Sequence, residues 1–398
     1  MSNLSPRARW AVPAVVGVVV AAAFVAPPLV ASASSDDLPA ISPQQLVTSV
    51  AEAENAALSG TVVYTARLGL PSLPLGDMAG ASPVNLLDGS STMRVWTDGI
   101  DRSRAALLGA TSEFSVVHDG PEAWTYSSTD DAVVHYTVAA EDQARLEALQ
   151  EQPRVSGDLP TPAAAAASAL SMVEQFSTVS LDAQSRVAGR DAYTLVITPK
   201  STTTLVGHVV IAVDATTKTP LRVQVWDRTS KSAALEVGFT DIRFGTPSDS
   251  VLSFSAPAGA TSKDVTVPLP TPAEHAAATA QGLPEGTTVT GTGWDTVVQV
   301  AGVDVAGLLA GDADALTSVP PTKPAIGSKS GQALLDEFGA DGTDKVRDLD
   351  LDTLFNQVTK QVPEGRLVTT KLASVLVTDD GRVLVGAVPG ATLQASAR

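Results

Sequence analysis

Residues 91–138 read STMRVWTDGIDRSRAALLGATSEFSVVHDGPEAWTYSSTDDAVVHYTV. Apolar and polar side chains alternate along this stretch in short runs, and each run ends at a cluster of turn residues. A period of two places successive side chains on opposite sides of an extended chain. The pattern therefore predicts strands near 91–97, 102–108, 113–118, 122–128 and 132–138. Asp98-Gly99 and Asp119-Gly120 tolerate the positive φ of two-residue hairpins, so each strand is expected to pair with the next in an antiparallel meander. One more strand precedes the meander near 61–69. A second block follows near 178–187, 192–198, 206–214, 221–227, 234–243 and 251–255.

Faces can be read within that second block. Tyr193, Leu195 and Ile197 share a side, as do Val209, Ile211 and Val213, and Val223 and Val225. Thr194, Thr198, Asp214, Arg222 and Gln224 occupy the other. One side of a curved sheet thus meets something apolar and the other meets water.

Around the strands, Ser42-Pro43 with Gln45 is a capping box opening a helix that ends before Gly60, and Leu46, Val47, Val50 and Ala57 form its stripe. Residues 70–90, rich in Gly, Pro and Leu, are expected to loop over the sheet. Residues 139–160 read as irregular. An alanine-rich helix is expected at about 163–176, ending in Met172, Val173 and Phe176; being apolar nearly all round, it is expected to be buried. Residues 256–292, with Pro257, Pro268, Pro270, Pro272 and Pro284, read as a linker. Beyond them come a strand near 295–301, a charged segment at 327–360 with one helix candidate, and a hairpin of 366–378 with 382–388 around Asp380-Gly381. The expected organisation is residues 1–33 as a signal peptide or anchor, 34–260 as the main domain, 261–292 as a linker and 293–398 as a small C-terminal α+β domain.

Arg7 and Arg9 precede an uncharged apolar run at 11–26, and Ala31-Ser32-Ala33 offers a cleavage site. If uncleaved, residues 11–30 would contact the membrane. Either way the rest is expected to be exported, secreted or anchored at the cell envelope. The formal charge of −17 argues against nucleic acid, which needs clustered cations. With no cysteine, disulfides, thiolate metal sites and a lipidated N-terminal cysteine are excluded.

Motifs that carry chemistry are few. No glycine-lysine pair supports a phosphate loop, and no serine precedes a lysine by three. His118, His135, His208 and His275 do not pair at ligand spacing. Asp348, Asp350 and Asp352 begin like a calcium loop, but Thr353 and Thr359 stand where it needs glycine and glutamate. No cofactor, metal or catalytic residue is expected.

What remains is apolar. Met93, Val95, Val116, Trp124, Tyr126, Val134, Tyr136, Leu195, Ile197, Val209, Ile211, Val213, Val223, Val225, Val237 and Phe239 are expected on one concave face, with Met172 and Phe176 as a helical cover. A long curved sheet with few aromatic residues leaves its interior incompletely filled.

Residues 40–260 resemble the LolA-like and MucB/RseB N-terminal domains of the bacterial envelope, in an actinobacterial style. The stretches that carry the likeness are Ser59-Gly60-Thr61-Val62-Val63, Val187-Ala188-Gly189-Arg190-Asp191-Ala192-Tyr193, Ile211-Ala212-Val213-Asp214 through Pro220-Leu221-Arg222-Val223, and Phe254-Ser255-Ala256-Pro257-Ala258-Gly259-Ala260. Val383-Leu384-Val385-Gly386-Ala387-Val388-Pro389 looks like the close of the second MucB/RseB domain. The resemblance implies a mainly β fold, a half-open antiparallel β-barrel with covering helices. It implies a non-enzymatic protein that shelters acyl chains of a lipid or acylated protein. Alternatively, it implies a regulator of an envelope partner such as a membrane-bound anti-sigma factor.

Overall fold

The computed structural model describes residues 38–70, 81, 86, 89–139, 142, 144, 171, 173–267, 286–309 and 351–398. The expected signal segment, most of the alanine-rich helix, His275 and Asp348 and Asp350 fall outside them. The fold is mainly β, as expected. Twelve strands form one sheet: β1 (Leu58–Ala66), β2 (Gly89–Thr97), β3 (Arg102–Leu108), β4 (Glu113–Asp119), β5 (Glu122–Ser127), β6 (Ala132–Val138), β7 (Ser177–Val187), β8 (Arg190–Pro199), β9 (Val206–Asp214), β10 (Pro220–Asp227), β11 (Leu235–Phe244) and β12 (Thr261–Val267). Their order is β12-β6-β5-β4-β3-β2-β1-β11-β10-β9-β8-β7. Two meanders are joined where β1 pairs with β11, and the sheet stays open, with β7 and β12 at its edges. Between Thr61 and Val62 the β1–β11 register shifts by a bulge. There a Cβ on Gly60 would lie 2.6 Å from the Asp241 carbonyl and 2.7 Å from the Phe239 ring, so only glycine fits.

The capping box forms as expected on α1 (Pro43–Glu52), but the helix stops at Glu52 and not at Gly60, so Ala57 lies outside it, just before β1. The Ser42 hydroxyl accepts from the Gln45 N–H at 3.1 Å, and the Gln45 side chain accepts from the Ser42 N–H at 2.8 Å.

Several local expectations are corrected. Residues 251–255 are not a strand: the alternation of Leu252 and Phe254 belongs to a short helix, α2 (Asp249–Leu252), and the turn after it. Leu252 is fully buried against β2–β4, and Phe254 stacks 5.7 Å from Trp124. This segment carries the chain across the outer face of the first meander. The expected linker at 261–292 opens with a strand. Thr261–Val267 pairs as β12, parallel to β6, and His135 Nδ1 meets Asp264 Oδ1 at 2.9 Å across that pair. The crossover needed for a parallel pair explains why local turn signals could not reveal it. Finally, Asp98-Gly99 is not a two-residue turn. The connection spans 98–101, because the Asp98 carboxylate accepts from the Ile100, Asp101 and Arg102 N–H groups and from the Arg102 guanidinium.

A second sheet has the order β13-β14-β18-β17-β16-β15. Its strands are β13 (Thr287–Thr290), β14 (Val297–Ala301), β15 (Lys360–Val362), β16 (Gly365–Thr369), β17 (Ser374–Thr378) and β18 (Arg382–Gly386). The helices α3 (Val305–Leu309), α4 (Leu351–Val358) and α5 (Gly390–Ala397) accompany it. The expected single strand 366–378 is two. Thr370 Oγ1 donates to the Ala373 carbonyl and accepts from the Ala373 N–H, closing a turn that polar alternation hid. One face of this sheet packs Leu376 and Leu384 against Leu393 of α5, all three fully buried.

The sheets dock through a short helical turn at Gly293–Asp295. Trp294 enters the apolar core of the first sheet, and its Nε1 donates to Ser177 Oγ at 2.8 Å. Asp295 Oδ1 accepts from Ser201 and Thr203, each at 2.7 Å. The Ala387 carbonyl accepts from the Leu205 N–H and the Thr204 hydroxyl.

Candidate functional site

Cross-strand pairing fixes which side chains share a face. Val62, Met93, Leu107 and Phe114 stand in one row across β1–β4, and Val95, Ala105, Val116, Thr125 and Val134 in the next. On the other half, Tyr193, Leu195, Ile197, Val209, Ile211, Val213, Val223, Val225 and Val237 align on the same inner face.

Much of that face is filled by the chain itself. Over β7–β10, Leu46 of α1 and Trp294 bury Leu195, Val209, Ile211, Val213, Val223 and Val225, with Ile197 and Phe176 packed at the margin. Over β1–β3, Ala81 and Leu86 of the expected covering loop pack with Met93 and Val237, and Val95 and Phe239 lie beside them. Toward β6, Val116 is 42% exposed and Val134 and Tyr136 are half-buried. Trp124 and Tyr126 do not join the set. They pair across from Val117 and Ser115, on the outer face, where Trp124 also stacks on His135 at 4.9 Å. The two aromatic residues advertise a buried side of β5, but the cover there is Phe254. Met172 lies outside the described side chains.

Between the two halves a cleft stays open. Its volume is about 420 Å³, and Leu58, Val95, Ala105, Leu221, Val223 and Phe239 supply its apolar walls. Thr97, Ser103 and Thr219 add hydroxyls, and Arg104 and Arg222 also stand on its lining. Strands β2 and β3 can share a cleft with β10 only because the sheet curls on itself. At one end that curl brings Leu58, Val187, Leu221 and Ile242 into one buried cluster. The Arg190 guanidinium lies 4.8 Å from the Phe244 ring centroid and binds Asp214 Oδ2 at 2.6 Å and Oδ1 at 3.0 Å, pinning the same end.

Val95, Val223 and Phe239 were expected at such a site. Leu58, Ala105 and Leu221 were not. Leu221 sits in a register shift between Pro220 and Arg222, which breaks the parity used to assign faces. Ala105 matters by being small: with a larger side chain there, the cleft would be filled.

Two lowered carboxylates, Asp98 and Asp214, are structural. Burial pushes the Asp98 carboxyl up, but its backbone N–H and Arg102 donors outweigh that and bring it down to about 2. For Asp214, burial is likewise opposed and outweighed by Arg190 and the Thr217 and Thr216 N–H groups, which hold it below the ordinary carboxylate range. Each carboxylate organises the turn beside a strand end. None converges with a second titratable group on the cleft.

Comparison with known proteins places the chain among solved structures only. No protein-family model matches it, and no curated protein matches it. It is similar to a chain of the complex structure of Pseudomonas aeruginosa MucA/MucB, at 18% identity and a TM-score of 0.40, covering 89% of this chain and 96% of that one. It is also similar to an uncharacterized conserved protein from Thermus thermophilus, at 12% identity and a TM-score of 0.31, covering 56% and 98% of the two chains. A LolA superfamily protein from Nitrosomonas europaea matches at 11% identity and a TM-score of 0.21, covering 54% and 99%.

Proposed function

We propose that this is an exported, non-enzymatic binding protein of the cell envelope that takes one acyl chain, of a lipid or an acylated protein, into the cleft between β2–β3 and β10. The observation that carries the reading is the largely apolar space of about 420 Å³ left open on a face much of which the chain itself packs. Small-molecule pockets span roughly 300–1,000 Å³, so the space suits a single chain and not a bulky multi-chain lipid. Each methylene taken from water contributes about 0.8 kcal/mol, enough for a chain of moderate length to bind firmly.

The test is native mass spectrometry of the purified protein, followed by titration with a fluorescent fatty acid. The Ala105→Trp variant should fold normally, since Ala105 is exposed at the cleft, and should lose at least tenfold in affinity by filling the space. Unchanged binding in that variant, or no binding by the wild type, removes the cleft from the argument.

A second reading, a regulator that docks on an envelope protein, is favoured by the second sheet. Val298, Val375, Val377, Val383 and Val385 pair across β14, β18 and β17 on the side away from Leu376 and Leu384, and Val385 is 42% exposed. An apolar face of this kind suits protein contact. On this reading, Val385→Asp should abolish retention of a membrane partner in a pulldown from envelope extracts, with fatty-acid binding intact. Retention unaffected by Val385→Asp counts against it.

A further inference from the structure

β12 closes one edge of the large sheet, pairing in parallel with β6 from Thr261 opposite Ala132 to Val267 opposite Val138. It is the strand from which the chain leaves for the second sheet. Parallel pairs are slightly weaker per residue than antiparallel ones. Backbone contacts hold its start, where the Thr261 N–H and hydroxyl donate to the Asp131 carbonyl. The strand it covers, β6, reads AVVHYTV and has no lysine, proline or carboxylate to blunt it as an edge. What fastens β12 therefore decides whether β6 is covered or bared.

Three contacts converge on one side chain at that pair. His135 stands directly across from Asp264, and its Nδ1 lies 2.9 Å from Asp264 Oδ1. Its Nε2 lies 3.4 Å from Glu122 Oε2 of β5, an ion-pair distance, and has no hydrogen-bond partner. The ring stacks on Trp124 at 4.9 Å and 2°. A neutral imidazole carries a single N–H, so one of its nitrogens turns a lone pair toward a carboxylate. The imidazolium donates from both nitrogens and is also drawn to the indole face.

The other charges around the ring do not offset this. Asp119 of β4 pairs across from Glu122 and adds a third carboxylate to the same face. Arg102, across β3 from Asp119, is held by Asp98 and Asp249. Lys263 of β12 pairs across from Val134 and so belongs to the opposite face. We propose that β12 is a pH-set strap over the β6 edge, fastened through His135 when its ring is charged. The strapped state prefers the protonated ring. Its contribution is therefore complete in acid and is lost as pH rises through the range, about pH 5 to 8, in which histidine gives up its proton. The strap is independent of what the apolar cleft binds.

The experiment is hydrogen exchange of the full-length protein, read by mass spectrometry at about pH 5 and about pH 8 and corrected for the intrinsic exchange rate at each. Amides of 261–267 should be about two- to fivefold better protected at the lower pH, the range for gaining a partly exposed ion pair. Peptides from β8–β10 report the fold and should not follow the same change. His135→Gln keeps a donor and an acceptor but takes no charge, so its β12 protection should be equal at both pH values. Asp264→Asn alters a side chain that is 83% exposed, so it keeps the fold and decides the question even if the glutamine variant misfolds. It should lower protection in acid and shrink the response. Equal protection of the wild type at both pH values, better protection at the higher one, or an undiminished response in either folded variant each overturns the proposal.

Discussion

Replacing Trp294 with alanine is expected to cost about 3–5 kcal/mol, the range for truncating a buried large aromatic side chain. It should also split unfolding into two transitions. Trp294 is 7% exposed and belongs by sequence to the second sheet, yet it packs in the core of the first with Leu46, Tyr193 and Val225. Its neighbour admits no easy repair. Gly293 has φ +56°, and a Cβ there would lie 2.4 Å from the Phe176 ring, so the backbone is held tightly against the first sheet. Removal of the indole also leaves Ser177 Oγ, in a residue 1% exposed, without the donor at 2.8 Å. The remaining ties are rim hydrogen bonds, to Asp295, to the Ala387 carbonyl and from the Lys371 N–H to the Leu68 carbonyl, with Leu372 and Ala387 at the edge of the core; each stabilises modestly on its own. Calorimetry should therefore show one cooperative transition in the wild type and two in Trp294→Ala. Trp294→Phe, which keeps most of the volume, should lose only part. A single transition with an unshifted midpoint in Trp294→Ala would mean that the sheets are held together elsewhere.

Trp294 also marks where reading the sequence stops. Alternation along 91–138 and 178–243 places the strands to within a few residues, because a curled sheet with one packed face imposes period two directly on the chain. The face assignments hold where both neighbours in the sheet come from the same hairpin, as for Leu195, Ile211 and Val223. They fail for Trp124 and Tyr126, since the side of β5 that is covered depends on Phe254, more than a hundred residues away. The same non-local logic hides β12, whose partner β6 lies across a crossover. It hides Leu221 too, whose parity is shifted by a bulge. The open cleft is harder still. It exists because Ala105 is small where β3 approaches β10, a fact about three-dimensional curl that no periodicity carries. Trp294, in a stretch next to the expected linker, gave no local sign that it would fill the core of another sheet.

Asp214→Ala is expected to be the costliest polar substitution, at about 1–3 kcal/mol, the range for leaving buried donors without their acceptor. The Asp214 side chain is 1% exposed against 32% for Arg190, so the carboxylate is the buried member. It accepts from Arg190 twice, from the Thr216 and Thr217 N–H groups and from the Thr217 hydroxyl. Alanine removes every one of these, and the turn 215–219 loses its organising acceptor, with Lys218 left at φ +62°. Asp214→Asn keeps one oxygen for the N–H groups and should cost less. The sign of the pH dependence follows from the direction of the shift. The folded carboxyl is held below its unfolded value of about 3.9, so its contribution is complete above roughly pH 4 and is lost as pH falls through the folded value. Asp98, lowered to about 2, adds to the same acid-side loss. Denaturant midpoints between about pH 5 and pH 2 should fall steeply in the wild type and less steeply in Asp214→Asn, because the asparagine carries no proton-linked term. Parallel slopes would show that the carboxylate titrates alike in both states. The functional consequence lies one turn away. Thr219 and Leu221, which follow directly on this turn, wall the apolar cleft, so Asp214→Ala should loosen fatty-acid binding even under conditions where the protein remains folded. Retained affinity in a folded Asp214→Ala variant would show that the β9–β10 turn does not shape the cleft.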